Sequence, residues 1–351
     1  MKALRIFIMI AAWLVAGLLV GCVKKPVGVG TETSLFVVAD SENWQEMEAT
    51  FKDVFENVIM TPQPERVFEI HWISPENFSQ YATRKNIVIV GILDSEGEIN
   101  AKVSGMLSAD VKNKVMDGSA FVFPKENPWA DQQLLVVLAG NSVDELKAKM
   151  MENREYLYGL FEKKLIEETT EQMFSQFEQE DLADTLLEKY GWTLRIQHDY
   201  ILNIDRPQDR FVMLRRSLPG RERWLFVHWI EAADPAMITE EWALQTRDRL
   251  TRKFYENDFI DRERTHSTEI DFLGRSTLLL EGLWANDDKV TGGPFRNYSF
   301  YDQATGRIYM IDVAVWYPAN LKEPFLRQLD IMAHTFKTEK EVREEKEKEG
   351  S

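Results

Sequence analysis

Residues 210–231 read RFVMLRRSLPGRERWLFVHWIE. Two apolar-rich runs, Arg210 to Leu218 and Arg223 to Glu231, flank Pro219-Gly220, a dipeptide that marks a tight turn. The runs are short and rich in aromatic and β-branched residues, as strands are. A turn this short joins antiparallel neighbours, because parallel strands need a long crossover. The same pattern continues outward. Thr193 to Ile204 reads as a strand before the pair. Thr265 to Phe272, Ser276 to Trp284 and Phe295 to Asp302 read as strands after it. Arg307 to Tyr317 then pairs with the last of these across Ala304-Thr305-Gly306. Helical spacing is predicted from about Thr239 to Tyr255, and again from Pro324, with Phe325, Leu329, Met332 and Phe336 on one face. Strands adjoining through tight turns, with a few helices between, predict an α+β fold: antiparallel sheets with helices packed on one face.

The first half carries similar elements. Strands are predicted at Leu35 to Ala39, Val67 to Ile73, Asn86 to Leu93, Ala120 to Phe123 and Gln133 to Ala139, with Pro124 to Asp131 as a turn. Asp40-Ser41 is placed to cap a helix from Trp44 to about Val58. Ser142-Val143-Asp144-Glu145 has the form of a capping box. It opens the longest helical stretch, to about Tyr190, with a break expected near Glu178 to Asp181. Two lobes joined by a long central helix follow from this: an N-terminal α/β lobe over 34–165 and a C-terminal α+β lobe over 166–337. The charged tail, 338–351, alternates acid and base and is predicted to fray.

The start of the chain has a different character. Lys2 and Arg5 precede Ile6 to Val20, an uncharged run of about 15 residues, where a membrane span needs roughly 20. Leu19-Val20-Gly21-Cys22 follows and resembles the lipobox of bacterial lipoproteins. Residues 1–21 are therefore expected to be a signal peptide. Cys22 is expected to carry lipid and become the new N-terminus, with 22–33 as a tether. Cys22 is the one cysteine in the sequence, so the processed protein has no free thiol for catalysis, zinc or a disulfide. Val23 follows it where an inner-membrane retention signal would place Asp. By that rule the protein belongs at the outer membrane, facing the periplasm.

A length of 351 residues leaves ample chain for a buried core, and 44% apolar with 28% charged residues is a globular composition. A formal net charge of −16 disfavours nucleic acid and anionic headgroups as partners. Aromatics reach 11%, with 10 Trp, a content that suits glycan or peptide binding once the core has taken its share.

Several runs then carry a family likeness. Glu281-Gly282-Leu283-Trp284, Gly292-Gly293-Pro294-Phe295, Tyr317-Pro318-Ala319 before Lys322, and Arg327-Gln328-Leu329 resemble the C-terminal part of the domain of unknown function 4837. Upstream, Pro64-Glu65-Arg66-Val67-Phe68, Arg84-Lys85-Asn86-Ile87, Asn127-Pro128-Trp129-Ala130 with Gln133, and Arg247-Asp248 fall in the order expected. Thr291 and Glu323 depart from the family pattern. The resemblance implies an envelope lipoprotein of Bacteroidetes type, with no activity established for the family.

No catalytic signature accompanies these runs. The five histidines, His71, His198, His228, His266 and His334, lack metal-ligand spacing. There is no Gly-x-Ser-x-Gly elbow and no phosphate loop, and no metal or cofactor is implied. Asn286-Asp287-Asp288-Lys289 lacks the register of a calcium loop and reads as a turn. Carboxylate pairs such as Glu281 with Asp287 can be drawn in many combinations, so they single out no glycosidase. Arg247-Asp248-Arg249 with Arg252 and Lys253 forms a basic helix patch that is expected to pair with acidic neighbours. The most distinctive feature is Trp284, Gly292, Gly293, Pro294 and Phe295, where rings flank a Gly-Gly-Pro loop. This is the candidate recognition surface of a non-catalytic protein that binds an envelope protein or glycan. The alternative is a glycan- or peptide-acting hydrolase with dispersed carboxylates.

Overall fold

The computed structural model of the protein describes residues 25–231, 234–318 and 320–350. Cys22 and the segment expected to be a signal peptide lie outside these. The chain divides into two compact units, one of residues up to Phe55 with Phe68–Phe161, the other of Glu56–Val67 with Glu162–Ser351.

In the first unit, β1 (Ser34–Val38), β4 (Glu69–Ile73), β5 (Asn86–Ile92), β6 (Val122–Glu126) and β7 (Leu134–Gly140) form one sheet in the order β4-β1-β5-β7-β6. Its pairs are parallel except β6 with β7, which corrects the expectation of antiparallel sheets for this half. The cause is visible in composition: β5 and β7 are buried along their whole length, the signature of central strands covered on both faces. Pro124 is not in the expected turn but inside β6. That strand lies at the sheet edge, where a residue without an N–H is tolerated. Asp40 also has another partner. Its carboxylate accepts the N–H groups of Ile99 and Asn100, at 3.1 and 3.0 Å. Its side chain thereby caps the helix Glu98–Met106, while its backbone carbonyl accepts Trp44 N–H at 3.0 Å at the start of the helix Ser41–Phe55.

The second unit is built on a seven-stranded antiparallel sheet. Its strands are β9 (Ile201–Arg206), β10 (Phe211–Leu218), β11 (Arg221–Ile230), β12 (Phe259–Phe272), β13 (Arg275–Asn286), β14 (Thr291–Asp302) and β15 (Arg307–Trp316), in the order β12-β13-β14-β15-β11-β10-β9. The α+β class read from the sequence holds, and the Pro219-Gly220 turn joins β10 to β11 as expected. Alternation along the strands makes two cores. Val212, Leu225, Ile311 and Val313 face Leu326, Leu329 and Met332 of the helix Glu323–Ala333. Met213, Phe226, Met310 and Phe295 face Ala243, Leu244 and Leu250 of the helix Glu240–Phe254. Helices thus cover both faces of this sheet, not the one face expected. A sheet whose strands alternate apolar residues to both sides must bury both.

Three local features differ from a simple reading of the sequence or join distant segments. The stretch to Tyr190 breaks into helices Val143–Glu152, Arg154–Phe174 and Glu180–Tyr190. The tail expected to fray is the helix Glu339–Glu349, with a Thr338/Glu341 capping box and i,i+4 ion pairs such as Arg343–Glu339 at 2.9 Å. The hairpin of β2 (Val58–Ile59) and β3 (Glu65–Arg66) places buried Glu65 at the start of the helix Glu323–Ala333. There its carboxylate accepts the backbone N–H groups of Lys322 and Glu323, both at 2.7 Å. An anion at a helix N-terminus is where the helix dipole favours one. Pro64-Glu65-Arg66 and Lys322, far apart in the chain, meet for this reason.

Candidate functional site

The helix Glu240–Phe254 is capped by Thr239, whose hydroxyl accepts Trp242 N–H, and it ends at Tyr255. Beyond its C-terminus the sheet face is not filled by helix, and a cavity of about 480 Å³ remains. Its walls come from paired strands. Met213 and Arg215 lie on β10, Glu222 and Trp224 on β11, Trp284 on β13, and Trp316 on β15. Register decides this grouping: Arg215 pairs with Trp224, and Glu222 with Trp316. Phe254, Tyr255, Glu256 and Asp258 close one side, and Lys289 with Val290 the rim. Trp224 meets Trp284 edge to face at 5.6 Å and tilts against Tyr255 at 5.8 Å. A volume in the range of roughly 300–1,000 Å³, aromatic walls and a few polar groups are the usual features of a small-molecule site.

The charges of the wall are mostly committed to one another. Arg215 holds Glu222 at 2.6 Å, and Ser217 adds a hydrogen bond to the same carboxylate at 3.1 Å. Lys289 pairs with Glu256. Asp258 has no ion-pair partner among the described residues. It accepts one hydrogen bond from the Asn286 amide at 2.7 Å, and burial pushes its pKa up to about 6. The same Asn286 accepts Lys289 N–H at 3.0 Å, so the 286–289 loop is held by turn chemistry. Among the described residues no group of three or more His, Cys, Asp or Glu is placed to hold a metal.

The five residues singled out from the sequence separate here. Gly292, Gly293 and Pro294 do not form a loop. They are part of β14, paired with Ala285, Trp284 and Leu283 of β13. None has a positive φ. Gly293 is glycine because β15 passes close: a Cβ there would sit 2.0 Å from Val315 O. The space above it is used by the Trp284 indole, which donates to Val315 O at 3.3 Å. Phe295 is buried, its ring under the Arg247 guanidinium at 3.7 Å. The set is therefore not an exposed aromatic surface. Trp284 nevertheless lines the cavity, and with Gly292 it lines a second one of about 420 Å³ that shares Val290, Thr291 and Pro318. Trp224, Trp316, Tyr255, Arg215 and Asp258 were not found from the sequence. Their only signal was same-face alternation on strands whose register was unknown.

The other candidates fall into structural roles. Arg247 is buried against Asp312 at 2.6 Å, and Lys253 pairs with Asp209 at 2.6 Å, so the basic patch is largely paired internally as expected. Glu281 pairs with Arg296 at 2.7 Å, away from Asp287 at the second cavity. His334 Nδ1 lies 2.8 Å from Asp330 O, and His266 is beside Glu281 at 3.6 Å.

His228 is buried with Nδ1 2.9 Å from Arg210 O, and burial pushes its pKa down from 6.5 to about 4. The unfolded chain takes that proton near 6.5 and the folded chain only near 4. The contribution of His228 is thus complete above 6.5 and lost as pH falls towards 4. Asp258 works in the opposite sense, since its folded pKa is raised and protonation favours the fold. The stability gap between wild type and His228→Gln should therefore narrow by roughly 2–3 kcal/mol between neutral pH and pH about 4. Urea midpoints across that range measure it, and a gap independent of pH rejects the assignment.

Comparison with known proteins adds the following. The family described as Domain of unknown function (DUF4837) matches residues 179–335, and that described as Domain of unknown function (DUF8532) matches residues 28–174. Residues 179–335 are thus a DUF4837 domain, as the runs from Glu281 to Leu329 implied. The upstream motifs at Pro64, Arg84 and Asn127 fall in the other family's segment. No curated protein matches the chain. Among solved structures, the Ran-binding protein Mog1p of Saccharomyces cerevisiae is 14% identical, with TM-score 0.30, covering 42% of this chain and 90% of its own. LpqN of Mycobacterium tuberculosis, described as involved in cell envelope biogenesis, is 10% identical with TM-score 0.28, covering 41% and 81%. PA94 of Pseudomonas aeruginosa, of unknown function, is 16% identical with TM-score 0.22, covering 39% and 92%. Similarity at that level carries nothing over to this protein.

Proposed function

For a chain carrying a DUF4837 domain, we propose a lipid-anchored envelope lipoprotein, attached through Cys22 to the outer membrane and facing the periplasm. It binds another envelope component, protein or glycan, without catalysis. The anchor rests on Lys2, Arg5, the apolar run Ile6 to Val20 and the lipobox-like Leu19-Val20-Gly21-Cys22. Among the described residues no helix is long and apolar enough to cross a membrane. The binding role rests on the cavity of the second unit, walled by Trp224, Trp284 and Trp316, whose acids Glu222 and Glu256 are already held by Arg215 and Lys289.

A second reading, a hydrolase acting on glycan or peptide, is favoured by one observation. Asp258 lines the cavity with a pKa raised to about 6, as a general acid requires. One experiment addresses both readings. Envelope proteins and glycans are crosslinked to the wild type, to Trp316→Ala and to Cys22→Ser, and turnover of envelope glycans and peptides is compared between the wild type and Asp258→Asn. Trp316→Ala should lower partner recovery at least about tenfold with the fold retained, because aromatic anchors carry most of the energy of such contacts. Cys22→Ser should leave the protein unprocessed or released from the membrane. Unchanged recovery removes the cavity from consideration, normal maturation of Cys22→Ser removes the anchor, and turnover lost in Asp258→Asn selects the hydrolase.

A further inference from the structure

Resting on the binding role just proposed, we infer that the cavity of the second unit takes a neutral carbohydrate, a mono- or disaccharide unit lying against the half-buried Trp316. Its unmet hydrogen-bonding capacity is mixed in sign. Two buried donors in the wall, Arg215 Nε and the Tyr255 hydroxyl, have no partner among the described residues. Asp258 accepts from Asn286 through Oδ1 and has no counter-cation, which leaves acceptor capacity beside them. Buried polar groups left unmade cost free energy, so such a wall favours a ligand that satisfies them.

Sugar hydroxyls both donate and accept, and the C–H face of a pyranose suits the electron-rich face of an indole. Other chemistries fit less well. An anion finds no free cation, because Arg215 and Lys289 are engaged by Glu222 and Glu256. A wholly apolar ligand would leave Arg215 Nε and the Tyr255 hydroxyl without a partner. The indole N–H groups of Trp284 and Trp316 are spent on Val315 O and the Thr291 hydroxyl, at 3.3 and 2.6 Å. Trp284 is 3% exposed, so the half-buried Trp316 is the ring of these two left to offer a face, while orientation falls to Arg215, Tyr255 and Asp258.

The test uses the full chain in a sugar-free detergent, lauryldimethylamine oxide. Tryptophan fluorescence and calorimetry are followed on titration with cellobiose, maltose and N,N′-diacetylchitobiose, with glucose 6-phosphate and benzyl alcohol as controls. At least one neutral saccharide should saturate, and more tightly than either control. Tyr255→Phe should weaken it by about 3- to 10-fold, the value of one hydrogen bond. The same variant should keep or raise the melting temperature, since the hydroxyl has no protein partner to lose. That combination separates a ligand contact from a packing role. Absence of saturation by every saccharide overturns the inference, as does unchanged affinity in Tyr255→Phe. If the saccharides fail while Trp316→Ala still abolishes partner recovery, the carbohydrate class is wrong and the binding role stands. If both fail, the cavity is not the site.

Discussion

Gly293→Ala is expected to unfold the second unit under conditions where the wild type is stable. The added methyl would sit 2.0 Å from Val315 O and 3.0 Å from Trp284 Nε1. The nearest atom is backbone, so no rotamer change relieves the clash. β14 is held between β13 and β15, and neither can retreat without breaking ladder hydrogen bonds. The indole bond to Val315 O is displaced as well, and with it a wall of the cavity. The expected cost exceeds about 4 kcal/mol, the range reserved for severe steric or burial faults. Against a typical total of about 5–15 kcal/mol that is a large share. Gly105→Ala is the control. It lies in the helix Glu98–Met106 with nothing within 4 Å of a new Cβ, and should be neutral or stabilising by about 0.5–1 kcal/mol. Chemical denaturation with circular dichroism reads both. A Gly293→Ala midpoint close to wild type would mean that β14 and β15 leave room for a methyl group between them.

Arg247→Met should cost about 3–5 kcal/mol, because it strands the Asp312 carboxylate in the core. Both side chains are at most 1% exposed. Arg247 Nε donates to Asp312 Oδ2 at 2.6 Å, Nη2 to Oδ1 at 3.3 Å, and the guanidinium lies on the Phe295 ring. Asp312 keeps only the Asn297 amide at 3.0 Å once Arg247 is gone. Burial already pushes the Asp312 pKa up, and losing the cation pushes it further. The double change Arg247→Met with Asp312→Leu should recover much of the loss, since a buried pair costs about as much to desolvate as it returns. Asn297 then lacks its acceptor, so recovery is incomplete. Equal destabilisation by the single and double variants would show that the charge pair is not the source. The same residue agrees with the expectation that the basic patch pairs internally: Arg247 lies in a core against Asp312.

Legibility in the sequence followed the range of the interactions. Strand and helix identities came from alternation and capping, which are local, and most elements of the second unit lie within a few residues of their predicted bounds. Errors arose where a distant partner decided. Thr193 to Ile204 reads as one strand, yet the region divides into Trp192–Thr193 and Ile201–Arg206, because Trp192-Thr193 pairs with Lys337-Thr338 from the end of the chain. Asp40 starts its own helix through its carbonyl, but its carboxylate serves another. Gly292 and Gly293 were read as turn residues, since glycine more often signals a positive φ than a neighbouring strand. The parallel order of the first sheet was hidden because buried strands look alike in either direction.

By itself the sequence determined the α+β class, the lipobox-like start, the antiparallel second half and the absence of a recognisable catalytic motif. Those properties depend on residue type and short-range spacing, which the chain carries wherever it folds. Tertiary structure alone decided the cavity. Arg215, Trp224, Trp284 and Trp316 come from four strands, and Tyr255 and Asp258 from the end of a helix and the turn after it. A register shift of one residue would send each strand's side chains to the opposite face of the sheet. The site therefore exists only once β10, β11, β13 and β15 are paired as they are, and pairing is a long-range property that no local stretch of residues encodes.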